Sequence, residues 1–330
     1  MSAPGRHVLV SLWNDAETRR RIAEALPSAT AIAYVSDEPP RPWNDVRALL
    51  VGNIRRELPG LKPEDLPALE FVQQIYTGVD DFPFDRIPMS ARVAGNVGAY
   101  APFVAEHAVA LLLAAARRIP EGHAQTLAGK LRPTASLTYL AGERSLVVGY
   151  GEIAQEVAPR LHGLGLEVVG VNRSGDARPG ADQVVPIDRL IEELPRARVV
   201  INCLPYTRST AGVFGERAFA AMRSDALFVS VGRAGTTDPR ALEGKLRSSP
   251  EFRAALDVWW NEEFQDGRVR HPFDLAAYPN LVASPHRAGV VPQARAAVLS
   301  RALENMARYL RGDTPHHIVD RGEYVGLEGV

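Results

Sequence analysis

One short stretch does most to limit what this chain can fold into: Ser145-Leu-Val-Val-Gly149-Tyr-Gly151-Glu-Ile-Ala154. A β-branched apolar run leads into two glycines one residue apart, and a small residue follows three positions later. A helical pattern then runs from Glu152 to Leu164, and a strand pattern from Leu166 to Val171. Strand, turn, helix and strand in that order fit the dinucleotide-binding form GxGxxA. Gly149 permits the tight turn, Gly151 lets the backbone approach a pyrophosphate, and Ala154 lets the helix pack close to the strand. The helix start offers N–H groups and a partial positive charge to the phosphates. A glycine turn without a ligand is the plainer reading, and the surrounding pattern weighs against it. Gly149, Tyr150, Gly151, Glu152 and Ile153 are therefore candidate cofactor-binding residues.

The end of the second strand bears on which dinucleotide is bound. An acidic residue there hydrogen-bonds the ribose 2′-hydroxyl of NAD and repels the 2′-phosphate of NADP. Counting 23 positions on from Gly149 reaches Asn172, followed by Arg173 and Ser174. No carboxylate stands at these three positions, and an arginine beside a hydroxyl suits a phosphate dianion. NADP(H) is the expected preference, with NAD(H) possible if Arg173 only stacks on the adenine.

Strand patterns alternate with helical ones along most of the chain, which argues for βαβ units and parallel sheets. The first series is His7–Leu12, Ala31–Val35, Ala48–Val51, Phe71–Tyr76 and Ala91–Ala94, with a helix over Ala16–Leu26. Proline-rich loops are expected around Pro39–Pro42 and Pro83–Pro88. A long helix is expected from Tyr100 to Ile119, mostly buried because its apolar face is broad. The second series is Arg144–Val148, Leu166–Val171, Gln183–Val185, Arg198–Cys203, Ala226–Val231, Arg253–Leu256 and Leu281–Ala283, a complete doubly wound set. A last long helix spans about Gln293 to Arg311, before a polar tail.

Composition narrows the classes of function. With 38 basic and 39 acidic residues the net charge is −1, which leaves no footprint for nucleic acid or an anionic membrane. The single cysteine, Cys203, forms no intrachain disulfide and fits a reducing compartment. The run Val8–Leu12 is too short for a signal-peptide core, and Ala108–Ala116 is too short to span a membrane. A cytoplasmic location is expected. No residue spacing suggests a metal site.

Three further segments place a polar group just past an apolar strand, where ligands sit in open α/β sheets. They are Leu227-Phe-Val-Ser-Val-Gly232-Arg233-Ala-Gly235, Ala254-Ala-Leu-Asp257-Val-Trp-Trp-Asn-Glu262 and Leu281-Val-Ala-Ser-Pro285-His286-Arg-Ala-Gly289. Together with Ala105-Glu-His-Ala in the long helix and Cys203-Leu-Pro-Tyr-Thr207, these motifs resemble, in order and over nearly the whole length, the D-isomer-specific 2-hydroxyacid dehydrogenases.

The resemblance implies two Rossmann-like or flavodoxin-like doubly wound α/β domains with parallel sheets and the active site in the cleft between them. A discontinuous substrate domain would take residues 1–98 plus 291–330, and the dinucleotide-binding domain residues 99–290. Arg233 would bind the carboxylate of a small 2-oxo or 2-hydroxy acid and polarise its 2-oxo oxygen, its planar fork suiting both tasks. His286 would be the acid/base. Glu262 would orient its ring and favour the protonated form. Asp257 would face the nicotinamide carboxamide, and Cys203, Leu204, Pro205, Val231 and Gly232 would line the cofactor. In the first domain, Thr77, Gly78 and Val79 would offer backbone amides to the carboxylate, with Gly52 and Asn53 as weaker candidates. A hinge is expected near Val97–Pro102 and Val290–Pro292, and a homodimer through the cofactor domains. His107 is expected to be a packed helix residue and His316-His317 a polar tail pair.

Some residues depart from the family pattern. Trp259-Trp260 would line the substrate pocket or a subunit contact, and the segment from Glu263 to Asn280, with Gln265-Asp-Gly-Arg-Val-Arg270, is longer than in many relatives. Tyr206-Thr207 replaces a commoner leucine–threonine pair. Two other functions compete with a glyoxylate or hydroxypyruvate reductase. A formate or phosphite dehydrogenase shares the scaffold, although formate enzymes carry glutamine where Glu262 stands. A non-enzymatic dinucleotide sensor of the corepressor type keeps the same three polar residues.

Overall fold

The computed structural model describes residues 7–37, 41–131, 136–263 and 267–324. The chain forms two compact units, the first taking residues up to Tyr100 and again from Pro292, the second running Ala101–Val291.

In the first unit lie β1 (His7–Val10), α1 (Ala16–Ala25), β2 (Ala31–Tyr34), β3 (Val46–Val51), the single-turn α2 (Ile54–Glu57), β4 (Phe71–Gln74) and β5 (Arg92–Ala94). Every ladder is parallel and the order is β2-β1-β3-β4-β5. Successive strand residues face opposite sides of a sheet. Val8, Val10, Leu50 and Phe71 accordingly meet Val298, Leu303 and Met306 of the C-terminal helix Ala294–Arg311. Leu9, Leu49, Val51 and Val72 face the other layer, among Ile54, Leu58, Leu66 and Phe82. Two covered faces explain why the strands read as continuous apolar runs. Asp15 caps α1 by accepting from the Thr18 amide.

The second unit opens with α3 (Ala101–Ala116) and α4 (Ile119–Leu127), then β6 (Arg144–Val148), α5 (Glu152–Gly163), β7 (Glu167–Asn172), β8 (Gln183–Pro186) and α6 (Leu190–Glu193). There follow β9 (Val199–Asn202), α7 (Glu216–Ala221), β10 (Leu227–Ser230), α8 (Pro239–Ser248), β11 (Arg253–Leu256), the short hairpin β12 (Glu262–Glu263) and β13 (Arg268–Val269), and β14 (Leu281–Ala283). Seven parallel strands run β14-β11-β10-β9-β6-β7-β8, with the order reversing between β6 and β9. That is the doubly wound arrangement whose ligands sit at the reversal, outside the carboxyl ends of the strands. One face is filled by Phe214, Phe219, Phe228 and Phe252, with ring centroids 5.1 Å apart for Phe214–Phe228 and 5.4 Å for Phe219–Phe228 in edge-on contact.

One expectation needs correction here. The helix read as Tyr100–Ile119 ends at Ala116, because Arg118 turns left-handed at φ 49 and Ile119 starts α4. Pro120 explains the break, since proline is tolerated in a first turn but not in a helix interior. The Trp259 and Trp260 indoles are both buried in the core of their own unit, with Trp260 Nε1 donating to Thr237 O at 2.9 Å.

Candidate active site

Gly149 sits at φ 85, and a β-carbon there would lie 2.7 Å from Leu204 N and 2.8 Å from the Cys203 carbonyl carbon. Only glycine fits. The amides of Gly149 and Tyr150 both donate to Val171 O, at 2.9 and 2.8 Å, which pins the turn to β7. Tyr150 is withdrawn: its ring is buried over Gly170, its hydroxyl donates to Pro179 O at 3.2 Å, and burial pushes its phenol up to about 12. Gly151 begins α5 without any side-chain cap, and no atom lies within 4 Å of the β-carbon it lacks. An uncapped helix start with open space beside it, continued by Glu152 and Ile153, fits the diphosphate of a dinucleotide.

The neighbouring loops close on the same point. Cys203 N donates to Val148 O at 2.7 Å and Leu204 N to the Asn202 Oδ1 at 3.1 Å. Val231 N and Gly232 N both donate to Asn202 O, and a β-carbon on Gly232 would meet Leu204 O. Burial pushes the Cys203 thiol up to about 12, so it is a packing residue rather than a nucleophile. Pro205 is exposed. At the end of β7, Asn172 folds the turn, accepting from Gly175 N at 2.6 Å and donating to Asp176 O at 2.8 Å. Arg173 and Ser174 are exposed, and Ser174 Oγ donates to the Asp176 carboxylate at 2.6 Å. Sequence reading stopped at Ser174 and missed Asp176.

The chemical loops leave adjacent strand ends, because Ser230, Leu256 and Ala283 pair across β10, β11 and β14. Arg233 follows β10 by three residues. Its carbonyl accepts from Thr236 N at 3.2 Å and Thr236 Oγ1 at 2.7 Å, and its Nη1 donates to Gly232 O at 3.1 Å. The buried Asn202 Nδ2 ties Ser230 Oγ to Thr236 Oγ1, at 3.1 and 2.7 Å.

Asp257, directly after β11, is 1% exposed. Its carboxylate accepts from Ser284 Oγ at 2.6 Å, Arg287 N at 3.0 Å and Ala288 N at 2.9 Å. Burial pushes its carboxyl up, but bonds from His107, Ser284, Arg287 and Ala288 outweigh that and hold it below the usual range. His107 is more than a packed helix residue. Its Nε2 lies 2.9 Å from Ser284 Oγ and 3.3 Å from the Asp257 Oδ1, so the loop before His286 is held from α3 as well.

Glu262 opens the β12–β13 hairpin, pairing with Val269. Both its oxygens face His286 Nδ1, at 2.9 and 2.7 Å, while Oε1 also accepts from Trp259 N at 2.8 Å. A carboxylate accepts, so Nδ1 carries the proton in this pair. His286 follows Pro285 in the left-handed region at φ 50, with its amide donating to Ser284 O at 3.1 Å. Of the residues Gln265 to Arg270, Gln265 and Asp266 lie outside the described residues.

In the first unit, the candidate substrate loops leave β3 and β4 where Val51 pairs with Gln74. The Glu57 carboxylate accepts from the amides of Gly52 and Asn53, both at 2.9 Å, and Asn53 Oδ1 caps α2 by accepting from Arg56 N at 3.1 Å. Thr77 Oγ1 donates to Asn96 O at 3.1 Å, and Gln74 Nε2 to Gly78 O at 3.1 Å. Val79 is buried.

The second unit matches the sequence pattern of the D-isomer specific 2-hydroxyacid dehydrogenase, NAD binding domain, over residues 109–288. Glyoxylate reductase of Thermococcus litoralis is 26% identical over 269 residues, spanning 78% of this chain and 79% of that protein. Glyoxylate/hydroxypyruvate reductase B of Escherichia fergusonii is 28% identical over 267 residues, spanning 78% of this chain and 80% of that protein. The crystal structure of a candidate formate dehydrogenase from Pyrobaculum aerophilum aligns with a TM-score of 0.79 at 30% identity, covering 96% of this chain and 99% of that one. The chain belongs to the D-isomer specific 2-hydroxyacid dehydrogenase family.

Proposed function

We propose that this protein reduces a small 2-oxo acid, of the glyoxylate or hydroxypyruvate kind, to the D-2-hydroxy acid with NADPH. The observation that carries the reading is the Glu262 carboxylate astride His286 Nδ1 at 2.7 and 2.9 Å, on the strand edge next to Arg233. Reduced nicotinamide supplies the hydride. Arg233 holds the substrate carboxylate in its guanidinium fork and draws electron density from the 2-oxo oxygen. With Nδ1 engaged by Glu262, His286 delivers the proton to that oxygen from Nε2, and takes it back in the reverse direction. Thr77, Gly78 and Val79 offer backbone amides to the carboxylate, and Asn53 adds a polar side chain. Asp257 keeps the loop before His286 in register.

The NADPH preference rests on Arg173 and Ser174 exposed at the end of β7, with no carboxylate in the first three positions. A homodimer through the cofactor units is supported by the apolar surface of α4 and the residues after it. Ile119 is 59% exposed, Leu127 76%, Leu131 90% and Tyr139 77%. No described helix is long and apolar enough to cross a membrane, and the family resemblance supports work in the cytoplasm. Glu262 speaks against formate oxidation, since the formate enzymes carry glutamine there.

A panel of 2-oxo acids followed by NADPH and NADH absorbance tests the reading. Turnover of small 2-oxo acids is expected, with NADPH favoured. An NADH preference of about tenfold, some 1.4 kcal/mol, would overturn the cofactor assignment. Cofactor binding without turnover of any acid would point to the sensor instead.

A further inference from the structure

We infer that Trp259 is a positioning residue for the acid/base pair, holding the carboxylate and the histidine loop as one unit. The inference rests on the roles given above to Glu262 and His286. Trp259 reaches both sides of the pair. Its amide donates to Glu262 Oε1 at 2.8 Å, the oxygen that also lies 2.9 Å from His286 Nδ1. Its indole Nε1 donates to Ser284 O at 2.7 Å, and the same carbonyl accepts from the His286 amide at 3.1 Å. One residue, through its backbone amide and its rigid side chain, therefore links Glu262 to the turn that carries His286.

The surroundings make the link stiff. Trp259 is 6% exposed, and its ring meets the His271 ring edge-on with centroids 4.8 Å apart. Ser284 is tied at its other end, its Oγ donating to Asp257 at 2.6 Å and facing His107 Nε2 at 2.9 Å. His286 sits at φ 50, a conformation that persists only where surrounding contacts over-determine it. The indole bond to Ser284 O joins the residue whose amide holds Glu262 to the backbone of the turn. A phenylalanine or tyrosine ring could fill the space but has no N–H at that point, so the indole itself supplies the constraint. Trp260, the adjacent residue, aims its indole at Thr237 O instead.

Trp259→Phe removes the N–H and keeps an aromatic ring. The expected result is a kcat for 2-oxo acid reduction lowered roughly 5- to 20-fold, the scale of a small misplacement of a proton donor. The KM for the acid and the Kd for NADPH should stay within about twofold, because Arg233 and the phosphate turn are untouched. The solvent deuterium isotope effect on kcat should rise as proton delivery becomes slower. Trp260→Phe, also losing a buried indole N–H, should leave kcat and the isotope effect near wild type. If Trp259→Phe does not fold, Trp259→Tyr serves in its place with the same expected loss. A folded Trp259 variant with wild-type kcat and isotope effect overturns the inference, as does an equal fall in both tryptophan variants. A wild-type protein that turns over no 2-oxo acid overturns the underlying reading of the site instead.

Discussion

His286 holds a backbone conformation that residues with side chains seldom adopt, at a cost of order 1–3 kcal/mol. The contacts around it show what offsets that cost: Glu262 on the ring, Ser284 O on the amide, and Asp257 on the amides of Arg287 and Ala288. The strain sits at the residue assigned the proton transfer, where a fixed ring direction matters most. Replacing His286 by alanine should lower turnover roughly 10²–10⁴-fold, the usual worth of a placed acid/base. Arg233→Ala should lose several kcal/mol of transition-state stabilisation, about 3–4, because carboxylate binding and carbonyl polarisation go together. Steady-state kinetics on the best 2-oxo acid checks both, and near-normal kcat/KM in either variant removes that residue's role. Arg233, Glu262 and His286 were legible because each follows an apolar strand in an ordered motif. His107 and Asn202 were not, since their partners arrive from far along the chain: Ser284 is 177 positions from His107, and Thr236 is 34 from Asn202.

At the scale of elements, the strand–turn–helix around Gly149 was readable because its glycines answer a local steric demand. Gly149→Ala meets two obstacles at once, a φ of 85 and backbone atoms of Cys203 and Leu204 within 2.9 Å of the new methyl. The expected outcome is a lower melting temperature and NADPH binding weakened by roughly tenfold or more, since the turn cannot move without moving the start of α5. Calorimetric titration with NADPH and a thermal melt check it, and unchanged affinity would detach this turn from the cofactor. Other elements left no such trace. The β12–β13 hairpin has two residues per strand, too few for any alternation to show, yet Glu262 depends on it for its direction. The helix α4, IPEGHAQTL, does not continue the apolar pattern of α3, and only Pro120 marked where one gives way to the other.

Across the whole molecule, the alternation of strand and helix accounts for two parallel sheets, since parallel neighbours need a crossover connection. The surface is less determined by pattern. No element was expected over α4 and the residues after it, and only the fold reveals Leu127 and Leu131 as 76% and 90% exposed. If a second copy covers them, Leu127→Asp with Leu131→Asp should shift the protein from dimer to monomer in sedimentation at micromolar concentration, with little change in the melt of each chain. A wild-type protein that already sediments as a monomer would remove the dimer.

Leu204 has glycines on both sides, with Gly149 and Gly232 each leaving no room for a methyl against its backbone. Three loops from three strands thus meet with no slack, whereas Arg173, Ser174 and Asp176 stand on an open rim. For redesign this separates two parts of the proposed cofactor site. Gly149 and Gly232 leave no room for a side chain, whereas the exposed rim residues can be exchanged without crowding that junction.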